Sequence, residues 1–223
     1  MPKMTIYLLM LLVSFSFLSG CANKNRLKPT GFLSDYSKLQ AGKKDQALKR
    51  YVDTTVDFSK YKKVIIDKVI FYFKPDSRPI GVNPEELEML ANSFEKALID
   101  SLKDKYPVVT KPGPDVLRLR VAITDVKAGN PVLGTASAVL PVGVAINALS
   151  NVATGESVNV GEATIEAEFI DSETDKVIAA IMDRRVGSTY STGSVKGKWG
   201  HAKQAFEHWA KSLREWLDDV HGQ

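Results

Sequence analysis

Several stretches of the chain carry hydrophobic side chains at regular spacing, and each spacing predicts an element. In residues 116–126, Leu117, Leu119, Val121 and Ile123 alternate with Arg118 and Arg120, the two-residue period of a strand with one apolar face. Residues 162–171 repeat it, with Ala163, Ile165, Ala167 and Phe169 facing in and Glu162, Glu166 and Glu168 facing out. The polar run Asp171-Ser172-Glu173-Thr174-Asp175 predicts a turn into a third strand over 176–186, making a hairpin. Residues 64–73 (VIIDKVIFYF) are β-branched and aromatic on both faces, which predicts a buried central strand.

Two segments show the helical period instead. Asn83-Pro84-Glu85-Glu86 opens the first as a capping-box-like start, and Leu87, Leu90, Ala91, Phe94, Ala97, Leu98 and Leu102 form its stripe to about residue 105. The second carries Ala202, Ala205, Phe206, Trp209, Leu213, Trp216, Leu217 and Val220 on one face. The order is β-α-β-(apolar insertion)-β-β-α. One-sided strands and two amphipathic helices predict an α+β fold: a two-layer sandwich, mainly an antiparallel four-stranded sheet with both helices on one face.

The chain start is different. Residues 6–17 (IYLLMLLVSFSF) are uncharged and mostly apolar behind Lys3, which describes a secretory signal too short to span a bilayer comfortably. Leu18-Ser19-Gly20-Cys21 follows. It resembles the bacterial lipobox, which implies a signal peptide over 1–20, cleavage before Cys21 and acylation of that residue. The bilayer is then a partner through the acyl chains of Cys21. Ala22 in place of an Asp favours the outer membrane, facing the periplasm, by resemblance to enteric sorting.

Of the 30 Lys and Arg in the 223-residue chain, nine lie between residues 22 and 60, against four of the 26 acids. This predicts a basic tether over 21–59, either solvated or lying against anionic head groups, and a single domain over 60–223. Gly31-Phe32-Leu33, Tyr36, Leu39 and Tyr51-Val52 are apolar enough for parts of the tether to dock on the domain. Residues 128–155 hold no charge and predict an insertion packed on the domain, on a second copy or in the membrane; Pro141, Gly143 and Asn147 argue against a spanning helix. After residue 60 the charges nearly balance, at 20 basic to 22 acidic, so no nucleic-acid partner is expected.

The candidate chemistry is sparse. Cys21 is the single cysteine, and the sequence holds no nucleophile elbow, phosphate loop or H-E-x-x-H motif. His201 and His208 are seven residues apart on one helix, too far to chelate one metal together. Asp171, Glu173 and Asp175 suit a hairpin turn better than a cation site. No metal, cofactor or catalytic residue is expected. Arg118 and Arg120 opposite Glu166 and Glu168 read as cross-strand charge pairs on an exposed sheet face, or as an interaction surface. Residues 187–200 mix small residues with Lys196, Lys198, Tyr190 and Trp199, either a connector or a cradle for phosphate or glycan.

Three stretches, GFLSDYSKLQAG (31–42), YVDTTVDFSKYKKVIIDKVIF (51–71) and VGEATIEAEFIDSETDKVIAAIMDRRVG (160–187), with the lipobox in front, resemble the family of proteobacterial lipoproteins called domain of unknown function 3313. The resemblance covers most of the mature chain and implies a lipoprotein, with no activity, catalytic residue or ligand attached. At the level of fold the order is also similar to the periplasmic domain of the curli secretion channel lipoprotein and to the N-terminal domain of the Tol-system propeller protein, which implies interaction or assembly. The expectation is an outer-membrane lipoprotein acting as a non-catalytic envelope module, with an envelope protein or a second copy as partner. Its alternatives are a membrane-contacting oligomer built through 128–155 and an envelope enzyme with an unrecognised site.

Overall fold

The computed structural model describes residues 27–73, 82–128, 161–187 and 197–222. The lipobox and the apolar insertion, apart from Ala128, lie outside the described residues. In chain order the strands are β1 (Gln40–Ala41), β2 (Lys49–Val52), β3 (Lys63–Ile66), β4 (Ile70–Phe71), β5 (Val116–Lys127), β6 (Glu162–Asp171) and β7 (Val177–Val186). Helix α1 (Pro84–Leu102) lies between β4 and β5, and helix α2 (Gly200–Val220) follows β7.

The fold is α+β, as expected, but the sheet has seven strands among the described residues rather than four. Its order is β1-β2-β7-β6-β5-β3, with β4 also against β5. β3 and β4 pair with β5 in parallel, and every other pair is antiparallel. The expected central strand over 64–73 is corrected twice. It breaks at Asp67, whose carboxylate takes the Arg118 guanidinium in a two-pronged pair of 3.0 and 2.9 Å, and it lies beyond β5 at the end of the sheet. Its apolar content has another cause: Val64 and Val69 pack into the core, while Val64 N–H donates to Pro107 and its carbonyl accepts from Val109 on the outer side.

The second correction concerns the tether. Residues 27–59 join the domain: Lys49–Val52 pair with β7 from Met182 to Ala179, and β1 adds to β2. A strand of four residues carrying Lys49 and Arg50 is too short to show a period.

The helices follow the sequence closely. Asn83 Oδ1 accepts from Glu86 N–H at 2.8 Å, and the Glu86 carboxylate accepts from Asn83 N–H, closing the capping box. α1 and α2 pack side by side on one face of the sheet, with Phe94 stacked on Phe206 at 4.7 Å between ring centres. Leu117, Leu119, Val121, Ile165 and Ala167 meet them from below.

A polar knot closes the end of the sheet at the β6–β7 turn. Asp171 accepts from Lys60 Nζ at 2.9 Å, Tyr61 hydroxyl at 2.7 Å and Thr174 N–H at 3.1 Å. Burial alone would raise its carboxyl; these donors outweigh burial and hold it well below the usual range. Tyr61, 1% exposed, is pushed up to about 12 by burial first and by Asp171 second.

The Asp171 contribution is complete above the ordinary carboxyl value of 3.8 and falls away as pH drops below it. We therefore expect Asp171→Asn to lose about 1–3 kcal/mol at pH 7, with the gap to wild type narrowing below pH 4. Urea melts at pH 7 and pH 3 measure this; an unchanged gap at both pH values would contradict the ionised role.

Candidate functional site

The face of the sheet opposite the helices carries charge on its middle strands, and the N-terminal segment lies across it. Glu166 and Glu168 are 0% and 1% exposed, so the expectation of outward, solvated glutamates is corrected. A buried carboxylate is costly unless its oxygens are satisfied, and here the donors come from residues 30–36. Thr30 gives its N–H to Glu166 Oε1 at 3.0 Å and its hydroxyl to Oε2 at 2.9 Å. The Tyr36 hydroxyl donates to the same Oε2, and Ser34 N–H donates to Glu168 Oε1.

Arg120 completes the arrangement. Its guanidinium lies 3.0 Å from Glu168 Oε2, donates to the Phe32 carbonyl at 2.7 Å and sits 4.4 Å over the Phe32 ring. Phe32 and Leu33 are buried against Ala122, Ala180 and Met182, small or pliable residues that leave room for them. Gly31 turns the strap with a φ of 101°, which glycine adopts without strain. Tyr36 ties the turn internally, its hydroxyl accepting from Gly31 N–H at 2.8 Å and Leu33 N–H at 3.1 Å. Burial first, and Glu166 second, push that hydroxyl upward, so it stays a donor.

The four residues expected to form a surface thus separate. Arg120 and Glu168 face each other in register and pair; Glu166 stands opposite Ala122 and bonds to the strap. Arg118 stands opposite Ile170 and pairs with Asp67 and, at 3.5 Å, with Asp175. What lies on this face is the chain's own N-terminal segment. Phe32, Leu33, Tyr36 and Leu39 carried the sequence signal for docking, but nothing in their pattern pointed to the buried glutamates.

On the helix side a cavity of about 300 Å³ lies beneath α2 and beside β2 and β7, at the small end of ligand-pocket volumes. Its floor is apolar, with Ile165, Phe169 and Ile181, and its mouth holds Arg50, Arg185, His208 and Ser212. Burial first, and Arg185 second, lower the His208 imidazole. Ser212 Oγ lies 3.3 Å from His208 Nε2, yet the nearby Asp183 is bound elsewhere, accepting from Trp209 Nε1 at 2.7 Å and Leu48 N–H at 3.0 Å. Among the described residues no nucleophile, base and orienting acid come together at this mouth.

The remaining candidates are dispersed. His201 packs against the backbone of Gly187, where a Cβ would approach its ring to 2.2 Å; His208 stands at the cavity mouth. Asp171 is committed to its knot, and among the described residues no group of three His, Cys, Asp or Glu is placed to hold a metal. Of the glycine-rich stretch, Trp199 is buried and donates to Glu86 at 2.9 Å. Among the described residues no helix is long and apolar enough to cross a membrane.

A family model described as "Protein of unknown function (DUF3313)" matches residues 28–213, from the strap to α2. The chain belongs to that family. It is 28% identical over 198 residues to the uncharacterized lipoprotein YdcL of Escherichia coli K12, covering 86% of this chain and 87% of the relative. The fold is distantly similar to a PelC dodecamer subunit from Paraburkholderia phytofirmans, at 10% identity and a TM-score of 0.40, over 74% of this chain and 94% of that one. Protein XCC0632 from Xanthomonas campestris gives 14% identity and a TM-score of 0.39, over 73% and 87%. These two structural likenesses are too remote to bear on function.

Removing the Tyr36 hydroxyl takes away one donor to Glu166 and the acceptor for two amides. Tyr36→Phe is expected to cost about 1–3 kcal/mol and to speed amide exchange at Gly31 and Leu33 more than at β5–β7. Hydrogen exchange read by NMR decides it; unchanged exchange at both amides would remove the hydroxyl from its role as a tie.

Proposed function

We propose that this protein is a lipid-anchored lipoprotein of the outer membrane, facing the periplasm, that acts as a non-catalytic interaction or assembly module. The observation that supports it best is the use made of Arg120, Glu166 and Glu168. These groups hold residues 30–36, the segment that leads back to Leu18-Ser19-Gly20-Cys21. Their chemistry is mechanical: it joins the domain to the chain that carries the anchor. Family membership and the lipoprotein relative agree with acylation of Cys21. Two or more acyl chains hold a protein on a bilayer essentially permanently, each buried methylene contributing ~0.8 kcal/mol.

The partner in this reading is an envelope protein or a second copy of the chain. Cys21→Ser should abolish incorporation of labelled palmitate and shift the protein out of the outer-membrane band of a density gradient. Persistence in that band would count against the anchor. A photo-crosslinker placed on exposed positions of α2 in intact envelopes should capture a defined neighbour, whereas a strictly solitary chain would count against the module.

A further inference from the structure

We propose that the end of the domain carrying the β1–β2 hairpin docks on a bilayer surface containing anionic lipid, through Lys43, Lys44 and Leu48 with Lys28 and Lys49. This rests on the lipid attachment at Cys21 and adds the orientation of the domain and the side chains that meet the head groups.

Direction is the first argument. Read backward from Ser34 to Thr30, the strap moves from Glu168 to Glu166, toward the start of β6. From Leu27, six residues remain to Cys21, a reach of at most about 20 Å. The β1–β2 hairpin points the same way. Lys49 is level with Met182, and Met182 is level with Glu166, so residues 42–48 extend from the row where Thr30 is held toward the row of Lys127, Glu162 and Val186. The anchor chain and the hairpin tip leave the sheet at the same end.

Charge is the second argument. Among the described residues the ammonium groups of Lys28, Lys43, Lys44 and Lys49 form no ion pair, against one exposed carboxylate at the tip, Asp45. At the opposite end Lys60, Lys63, Lys105 and Lys176 are paired with Asp171, Asp115, Asp218 and Asp53, and Lys62 and Lys111 alone among the described lysines there form no ion pair.

Shape is the third. Gly42 closes the hairpin where a Cβ would come within 1.9 Å of the Ala47 carbonyl, and Gly42 N–H donates to Leu48 at 3.1 Å. The tip is therefore fixed, with Leu48 49% exposed beside the lysines. An exposed leucine flanked by unpaired lysines suits the boundary between head groups and acyl chains.

The test uses the acylated protein, whose only cysteine is blocked by lipid, with a fluorophore on Leu48→Cys or Thr174→Cys. Each is reconstituted in vesicles of phosphatidylethanolamine and phosphatidylglycerol containing doxyl-labelled phosphatidylcholine. Loss of emission is expected at position 48 and none at 174, with the loss at 48 reversed by Lys43→Gln plus Lys44→Gln or by replacing phosphatidylglycerol with phosphatidylcholine. Equal quenching at both positions, or none at 48, would overturn the proposal; a second copy or a protein covering the hairpin gives that last result. A parallel set replaces residues 1–21 with a hexahistidine tag held on nickel-chelating lipid. If Cys21 proves to carry no acyl chain, the anchor reading fails, and this set still decides the orientation.

Discussion

Two carboxylates in the middle of a sheet set the terms for the rest of this fold. Glu166 and Glu168 point away from the helices, on a strand flanked on both sides by hydrogen-bonded neighbours. A sheet face with this charge could remain wet. Here it is sealed, and sealing requires a cover that brings its own donors. Residues 30–36 supply backbone amides and hydroxyls for the oxygens, and Phe32 and Leu33 supply the apolar contact that excludes water. Arg120 does both, cancelling charge on Glu168 while its flat face supports Phe32. The domain is thereby three layers deep over its centre, helices on one side and a strap on the other.

Sheet width explains the cavity in the same elementary terms. Two helices about 10 Å across cover about four strands spaced about 4.8 Å. With β1 and β2 added beyond β7, the sheet outgrows its helical cover. The uncovered edge lies under the flank of α2, where Trp216, Ile181 and Arg50 leave a hollow.

How far the sequence can be read follows from length and locality. β5 and β6 alternate over ten residues or more, and both helices carry their stripes through five turns, so period alone identifies them; β7, an apolar run from Val177 to Met182, is reached through the polar turn at 171–175. Asn83 and Glu86 announce their helix because the capping box is local. β2 has four residues, and its membership depends on β7, more than a hundred positions away. Glu166 and Glu168 mislead for a related reason: an alternating acid on a strand normally marks the wet face, and only the distant Thr30, Ser34 and Tyr36 reverse that. The strap was half visible, as apolar knots in a basic segment, because hydrophobicity is local and its binding site is not. The cavity has no sequence signal, since it arises from the mismatch between two layers.

The strap also bears on the order in which the chain can fold. Thr30 and Glu166 are separated by 136 positions, and β2 needs β7 before it can pair. The groups that seat residues 27–52 on the sheet, Glu166, Glu168 and β7, are absent until the C-terminal part of the chain has been delivered. This N-terminal stretch is therefore early in synthesis and late to dock on the sheet. Closure of the strap afterwards brings the first described residues of the chain onto the centre of the finished sheet.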